Sequence, residues 1–355
     1  MEWLSKCVNS LYSSPSSECC PSAICSAPCL PPLAASEPLP PIQASCERAC
    51  TQPCTQHPAV PSNLNIDQAR QLANTVPTYA VHLVLLTGKT DWPAHIEDDE
   101  GVAQALIEAI HERKGSLHRA PEAAFHVAQQ QQDKEEDEVE GAKENHTVKG
   151  STGHGSSTKK EPFRVLVTCA ALASPFSRQR GSLDVLLLPD NVVIANVTRR
   201  RAGPLIDFCF GRGTSHFNVH PSPYRTLIMV CGHGRKDRRC GTIGPMLQTA
   251  LKDAIQQGRN ACWEQGQEDG ALDDTAVTLV SHLGGHAFAG NMVIYSHQGQ
   301  RAIWYGRVTP CHCVDVVQQT LRQNRVLLDL VRGIFEAGSP QKCANTVVNK
   351  TLLDW

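Results

Sequence analysis

The sequence predicts an α/β protein of two domains. Short apolar runs that end in Gly or a polar cluster alternate with segments of helical spacing. The length, 355 residues, is too great for one small core and suits two domains of ordinary size. Composition also shifts sharply near residue 60 and again around a polar stretch at 127–161.

Residues 1–60 are rich in Pro, Ser and Cys, as in PCLPPL and PLPPI, which predicts a mostly irregular segment. The run YAVHLVLLTG at 79–88 reads as a buried strand. GVAQALIEAIHERKG places Val102, Leu106, Ile107 and Ile110 at helical spacing, with Gly115 as the stop. The 127–161 insertion has no periodicity and reads as a solvated loop, so His146 and His154 are not expected to be ligands. PFRVLVTCAAL and LDVLLLPDNVVIANVT are strand-like and complete a first domain over 61–220.

The second domain spans 221–355. YRTLIMVCGHG predicts a strand running into a loop. GPMLQTALKDAIQQG predicts a helix with Pro245 near its start and Gly258 at its end. TAVTLVSHLGGHAFAGNMVIYS predicts strand, Gly-rich loop and strand, and RAIWYGRV a further strand. VDVVQQTLRQNRVLLDLVRGIFE reads as a long amphipathic helix.

Bulk properties exclude some functions. A net charge of -2 gives no general electrostatic case for nucleic acid. No apolar run is long enough to span a bilayer. The start MEWLSKCVNSLYSS lacks a basic stretch followed by an apolar one, so no secretory signal is expected, and its few Arg weaken a mitochondrial presequence. Sixteen cysteines in a chain without an export signal point to metal or redox chemistry for some of them. Cys169 and Cys209 sit in apolar runs and read as small buried hydrophobes. LVLLTGKT is not a phosphate loop, because Leu83 stands where a glycine is needed. GRG at 211–213 lacks the third glycine of a dinucleotide fingerprint. No neighbouring carboxylate pair suits a glycosidase.

The candidate chemistry lies in CGHGRKDRRC and HLGGH. Cys231 and Cys240 follow one strand, and His282 and His286 follow another, so both pairs start from rigid ends. Gly284 and Gly285 disfavour a helix between the histidines, and Leu283 stands where a zinc protease needs its Glu. A structural zinc site prefers a tighter Cys pair, whereas a [2Fe–2S] unit tolerates wide spacing. Zinc and unliganded core residues remain as alternatives.

These paired motifs resemble the sucrase/ferredoxin-like family, whose members carry a C-terminal thioredoxin-like ferredoxin domain. The resemblance extends to TGKTDWP at 87–93 and more loosely to CERACTQPCTQHP. It implies a [2Fe–2S] cluster held by Cys231, Cys240, His282 and His286. It further implies an electron carrier rather than a hydrolase, in redox homeostasis, with a protein redox partner. Alternatives are a thiol-redox enzyme regulated by the cluster and a zinc-stabilised interaction module. The thiol candidates are Cys311 and Cys313 beside His312, and the cluster Cys19, Cys20, Cys25, Cys29, Cys46, Cys50 and Cys54. The basic stretch Arg235, Lys236, Arg238 and Arg239 would favour a reduced cluster or an acidic partner. Leu353, Asp354 and Trp355 resemble the tripeptide read by the cytosolic iron–sulfur targeting machinery, so the cytoplasm is the expected compartment and the mitochondrion the alternative.

Overall fold

The computed structural model describes residues 42–43, 57–77, 79–114, 117, 164–210, 215–264 and 270–336. The insertion at 127–161, the N-terminal cysteines, Gly115, the GRG triplet and Leu353, Asp354 and Trp355 lie outside the described residues.

The first half begins with β2 (Val81–Leu86), α1 (Val102–Arg113) and β3 (Val165–Ala170), and β2 and β3 are parallel. An antiparallel run follows: β4 (Ser182–Leu188), β5 (Val192–Thr198) and, after α2 (Ala202–Cys209), β6 (Val219–Pro221). The second half repeats this plan. β7 (Thr226–Cys231), α3 (Arg238–Glu264) and β8 (Thr275–Val280) form a second parallel pair with a helical crossover. β9 (Met292–Ser296) and β10 (Arg301–Tyr305) then run antiparallel beside β7. A helix, α4 (His312–Asp315), continues into a π-helical stretch over Val316–Arg322. The short β11 (Val326–Leu327) pairs with β1 (Ile42–Gln43), and β12 (Val331–Glu336) closes the edge beside β10.

All strands but β1 and β11 share one ten-stranded sheet, in the order β12-β10-β9-β7-β8-β3-β2-β4-β5-β6. The sheet is thus continuous across residue 220. The halves join through a narrow antiparallel contact at which Ala170 faces Val280. Ser281 N–H donates to the Cys169 carbonyl (2.8 Å) and Ala171 N–H to the Leu279 carbonyl (2.9 Å). β3 and β8 overlap at their carboxyl ends, so the loops leaving β2, β3, β7 and β8 gather at this seam.

Strand alternation sorts the core into layers. In β7, Ile228 and Val230 pack under α3 with Ile243, Leu247 and Leu251, while Leu227, Met229 and Cys231 face the other way. In β2, Val81, Leu83 and Leu85 pack under α1 and α2, while Val84 and Leu86 face away. The faces turned from the helices form one apolar cluster that joins the two halves. Strands distant in sheet order meet there: His82 of β2 stacks near Trp304 of β10 at 6.3 Å and bonds the Tyr295 hydroxyl at 2.8 Å. The sheet therefore curls until its halves face each other. Tyr79 completes this buried network, its hydroxyl bonding Tyr295 (2.8 Å) and accepting from Trp304 Nε1 (3.1 Å). Burial pushes the His82 pKa down to about 3, so this ring is a neutral core group. On the outer side, Arg113 and Asp207 tie α1 to α2 at 2.9 Å.

Two helix expectations need correction. α3 starts before Gly244 and runs through Gly258 to Glu264. Asp237 caps it, its Oδ1 accepting the Arg239 N–H at 2.9 Å. Pro245 lies inside the helix, where its fixed φ is tolerated although it has no N–H to donate to Gly241. The long helix expected over 314–336 does not form. The chain leaves the helical stretch through Asn324, whose φ of 54° is left-handed, and Val326, Val331 and Ile334 enter strands or their burial. Their apolar spacing serves strands as well as a helix face, and tertiary pairing decides, with β1 for Val326 and with β10 for Val331 and Ile334.

The first turns of α3 press on the β7 loop. A Cβ at Gly244 would lie 2.4 Å from the Cys231 carbonyl oxygen, and one at Gly241 would lie 2.4 Å from the Gly234 Cα. Both neighbours are backbone and cannot rotate away. Gly244→Ala is expected to lower stability by about 1–3 kcal/mol, read as a lower urea midpoint. An unchanged midpoint would contradict the close packing of α3 on β7.

Candidate functional site

Cys231 is the last residue of β7 and is buried. Its own N–H donates to the Asn291 carbonyl (2.9 Å), and the next N–H, from Gly232, donates to the Val280 carbonyl (3.0 Å). The thiol position is therefore fixed by two neighbouring strands. Cys240 lies in the first turn of α3, also buried. The nine-residue step between them is a loop and a helix start, which turns the chain back so that the Cys240 side chain acts on the Cys231 thiol.

The Cys231 pKa is held well below that of an ordinary thiol. The Cys240 side chain contributes most, followed by the His282 side chain and the N–H groups of Leu283 and His233. Burial opposes this and loses. The Cys240 thiol is pushed up, because its partner already carries the charge and both are desolvated. A lowered thiol beside a raised one, with N–H donors directed at the first, is an environment suited to thiolate ligands.

His282 and His286 follow β8 in a loop whose Gly284 and Gly285 have φ of 79° and 66°. The two rings are 5.3 Å apart between centroids. The His282 Nδ1 is buried and has no hydrogen-bond partner. His286 is exposed and His282 half-buried. The four residues thus form a graded site, with thiols inside and imidazoles toward solvent. Among the described residues, no three His, Cys, Asp or Glu side chains are arranged to hold one metal ion.

His233 links three segments and escaped sequence reasoning. Its Nε2–H donates to the carbonyls of Pro93 (2.8 Å) and Trp92 (3.1 Å). Its Nδ1 accepts the His282 backbone N–H at 3.1 Å. Because carbonyls only accept and an amide only donates, the proton sits on Nε2. The TGKTDWP segment is thereby tied to the histidine loop. Trp92 is itself buried, edge-on to His233, and donates its Nε1–H to Thr87 Oγ1 at 3.2 Å. Trp92 and Pro93 thus act as a strut under the histidine loop. Nothing in the spacing of a lone His-Gly could have shown this.

The basic stretch is less free than its sequence implies. Arg238 and Arg239 belong to the first turn of α3 rather than to a loop. Arg239 pairs with Asp237 at 2.8 Å and Arg235 with Asp91 at 3.5 Å. Asp237 has a lowered pKa, first through the Arg239 side chain. Cys311 and Cys313 are buried, and desolvation raises the Cys313 pKa, which works against a reactive thiolate. Cys169 and Cys209 are buried as expected, and burial pushes the former up to about 12.

The sucrase/ferredoxin-like family model matches residues 72–333. The chain belongs to the sucrase/ferredoxin-like family. Its curated relatives include altered inheritance of mitochondria protein 32 from Clavispora lusitaniae, 36% identical over 110 residues, which is 31% of this chain and 35% of the relative. The protein of that name from Saccharomyces cerevisiae strain YJM789 is 25% identical over 146 residues, covering 36% and 42% of the two chains. The match with these relatives therefore spans well under two thirds of their length. Among solved structures, a thioredoxin-like [2Fe-2S] ferredoxin from Aquifex aeolicus aligns with 34% of this chain and 98% of its own, at 18% identity and a TM-score of 0.25. No helix among the described residues is long and apolar enough to cross a membrane.

If His233 is the strut of the site, His233→Phe leaves the His282 N–H and two carbonyls unpaired. A loss of about 1–3 kcal/mol is expected, measured by urea unfolding of metal-free protein. Wild-type stability in that variant would show that the bridge has no structural weight.

Proposed function

We propose that this chain carries a [2Fe–2S] cluster on Cys231, Cys240, His282 and His286 and serves as a one-electron carrier. The observation that carries this reading is the buried, unpartnered Nδ1 of His282 together with two buried thiols that act on each other. A buried polar atom without a partner is costly and is expected to have one in the working protein. Two sulfur and two imidazole donors in pairs suit a binuclear unit, in which each iron takes two protein ligands. A structural zinc ion would instead take all four donors around one point.

When bound, the cluster would take up and release single electrons. The protein's part is to hold the donors and set the charge. Two ferric ions, two sulfides and two thiolates sum to zero, so an oxidised cluster with these ligands is neutral. Four thiolates would leave it doubly negative. Neutrality favours both burial and reduction, so the potential should exceed that of plant-type ferredoxins. The N–H groups of His233 and Leu283 point at the Cys231 sulfur and add to the same effect. His286, on the exposed edge, is where a redox partner protein would approach. We place this activity in the cytoplasm, with the mitochondrion as the alternative; the relatives' name, which refers to mitochondrial inheritance, is compatible with the latter.

Anaerobically purified protein is expected to be brown, to contain about two irons and two sulfides per chain, and to give a paramagnetic signal on reduction. A colourless zinc protein would overturn the reading. His282→Cys should keep a cluster at a lower potential, because the added thiolate makes it more negative. A potential unmoved by that exchange would remove His282 from the ligand set.

A further inference from the structure

Arg332 is the most deeply buried cation near the site, only 1% exposed. It reaches the histidine loop from β12. The β10–β12 ladder pairs Trp304 with Gly333 and Tyr305 with Val331, so Arg332 is the extra residue at a register shift. A bulge of this kind re-aims one side chain. Here it turns a guanidinium inward, which an ordinary edge strand would leave to solvent.

The hydrogen bonds of the guanidinium among the described residues all go to neutral acceptors. Nη1 donates to the Gly284 carbonyl (3.1 Å) and to Asn291 Oδ1 (3.0 Å), and Nε donates to Thr75 Oγ1 (3.0 Å). Asn291 Nδ2 in turn donates to the Gly285 carbonyl at 2.9 Å. Arg332 and Asn291 thus grip both glycines between His282 and His286. Gly285 is required for this grip as well as for its φ of 66°, since a Cβ there would fall 2.3 Å from Nη2.

The charge has no carboxylate partner. Among the described residues no Asp or Glu pairs with Arg332, although Arg70 and Arg307, which share Phe288 with it, both pair with Asp67. Burial pulls the Arg332 pKa down to about 10, which leaves it charged at neutral pH. The groups that oppose this fall are Cys231 and Cys240. A buried, unpaired cation is expensive unless a negative charge answers it.

We propose that Arg332 is a positioning residue for the cluster that also sets its potential, by clamping the His282–His286 loop and supplying the positive charge that answers the added electron. This inference rests on the ligand assignment above. On reduction the neutral cluster gains one electron from an outside donor and its charge becomes minus one. Arg332 lowers the energy of that state more than of the oxidised one. It therefore raises the potential.

The test uses full-length, cluster-loaded protein titrated with dithionite and followed by visible absorbance. Arg332→Gln is expected to reduce the equilibrium constant for one-electron reduction at least tenfold, a fall of about 59 mV. Arg332→Lys keeps the charge without the planar fork and should stay within threefold. Asn291→Ala removes the hold on Gly285 without removing the charge, and its metal-free form should unfold at lower urea than the unaltered chain. A loaded Arg332→Gln variant within threefold of the unaltered protein overturns the proposal. If that variant takes up no cluster, Arg332→Lys decides: retention within threefold upholds the charge role, and a larger fall overturns it. An unaltered chain that binds no iron and sulfide refutes the ligand assignment itself, a distinct result.

Discussion

The short ladder between β3 and β8 is the constraint on which the site depends. Only Ala170 and Val280 face each other there, supported by hydrogen bonds from Ser281 and Ala171. Antiparallel contact at the carboxyl ends of two parallel strand pairs brings four loops to one place. In open α/β sheets ligands gather where such strand ends diverge. Here each half of the molecule supplies one side. The second half provides the thiols and imidazoles, and the first provides the Trp92–Pro93 strut that reaches His233. The family motif at 87–93, far from the ligands in sequence, becomes intelligible as packing beneath them.

The loops at the seam are held by polar groups that are individually costly to bury. His233 is committed at both ring nitrogens, Asn291 bonds both a carbonyl and a guanidinium, and the Cys231 N–H is engaged by the Asn291 backbone. Such groups contribute little net stability when satisfied and subtract a great deal when one partner is lost. Their value lies in geometry. Ligands on Gly-rich loops would otherwise drift, and a bridged pair of irons tolerates little error in the positions of its donors. The exception is His282 Nδ1, left without a protein partner in the middle of an otherwise satisfied network. That contrast is the strongest sign that something outside the chain completes the site.

Much of the fold was legible because its strands are short apolar runs with clear stops. β2, β7, β8 and β9 fall where their patterns place them, and α1 matches its apolar spacing. The candidate residues Cys231, Cys240, His282 and His286 stood out in the sequence too, since each pair follows a strand end and is crowded by glycine. Reading failed at the C-terminal region, where Val326, Val331 and Ile334 satisfy a helical and an extended pattern equally. Only pairing with β1 and β10, invisible in the sequence, selects the strands. It failed again for Arg332, which looks like a routine charge on the polar face of that supposed helix. The bulge that turns it inward is a register event between two strands. No local pattern encodes it. His233 was hidden for a different reason, because its partners lie about 140 residues away.

Charge explains why these features belong together. The interior between the two half-sheets is apolar, lined by Leu86, Val280, Val293 and Trp304. A cluster with four thiolates would bring a double negative charge to its edge, and desolvation would penalise it heavily. Replacing two thiolates by imidazoles removes that charge in the oxidised state. In the proposed cluster a single negative charge would remain after reduction, and Arg332, which pairs with no Asp or Glu among the described residues, is the buried cation that would answer it. Histidine ligands and a buried arginine are thus two halves of one electrostatic arrangement. With both present, the cluster and guanidinium would sum to plus one when oxidised and to zero when reduced, so the arrangement favours the reduced state. Both features therefore act in one direction, toward a potential above that of a four-thiolate cluster in the same apolar surroundings.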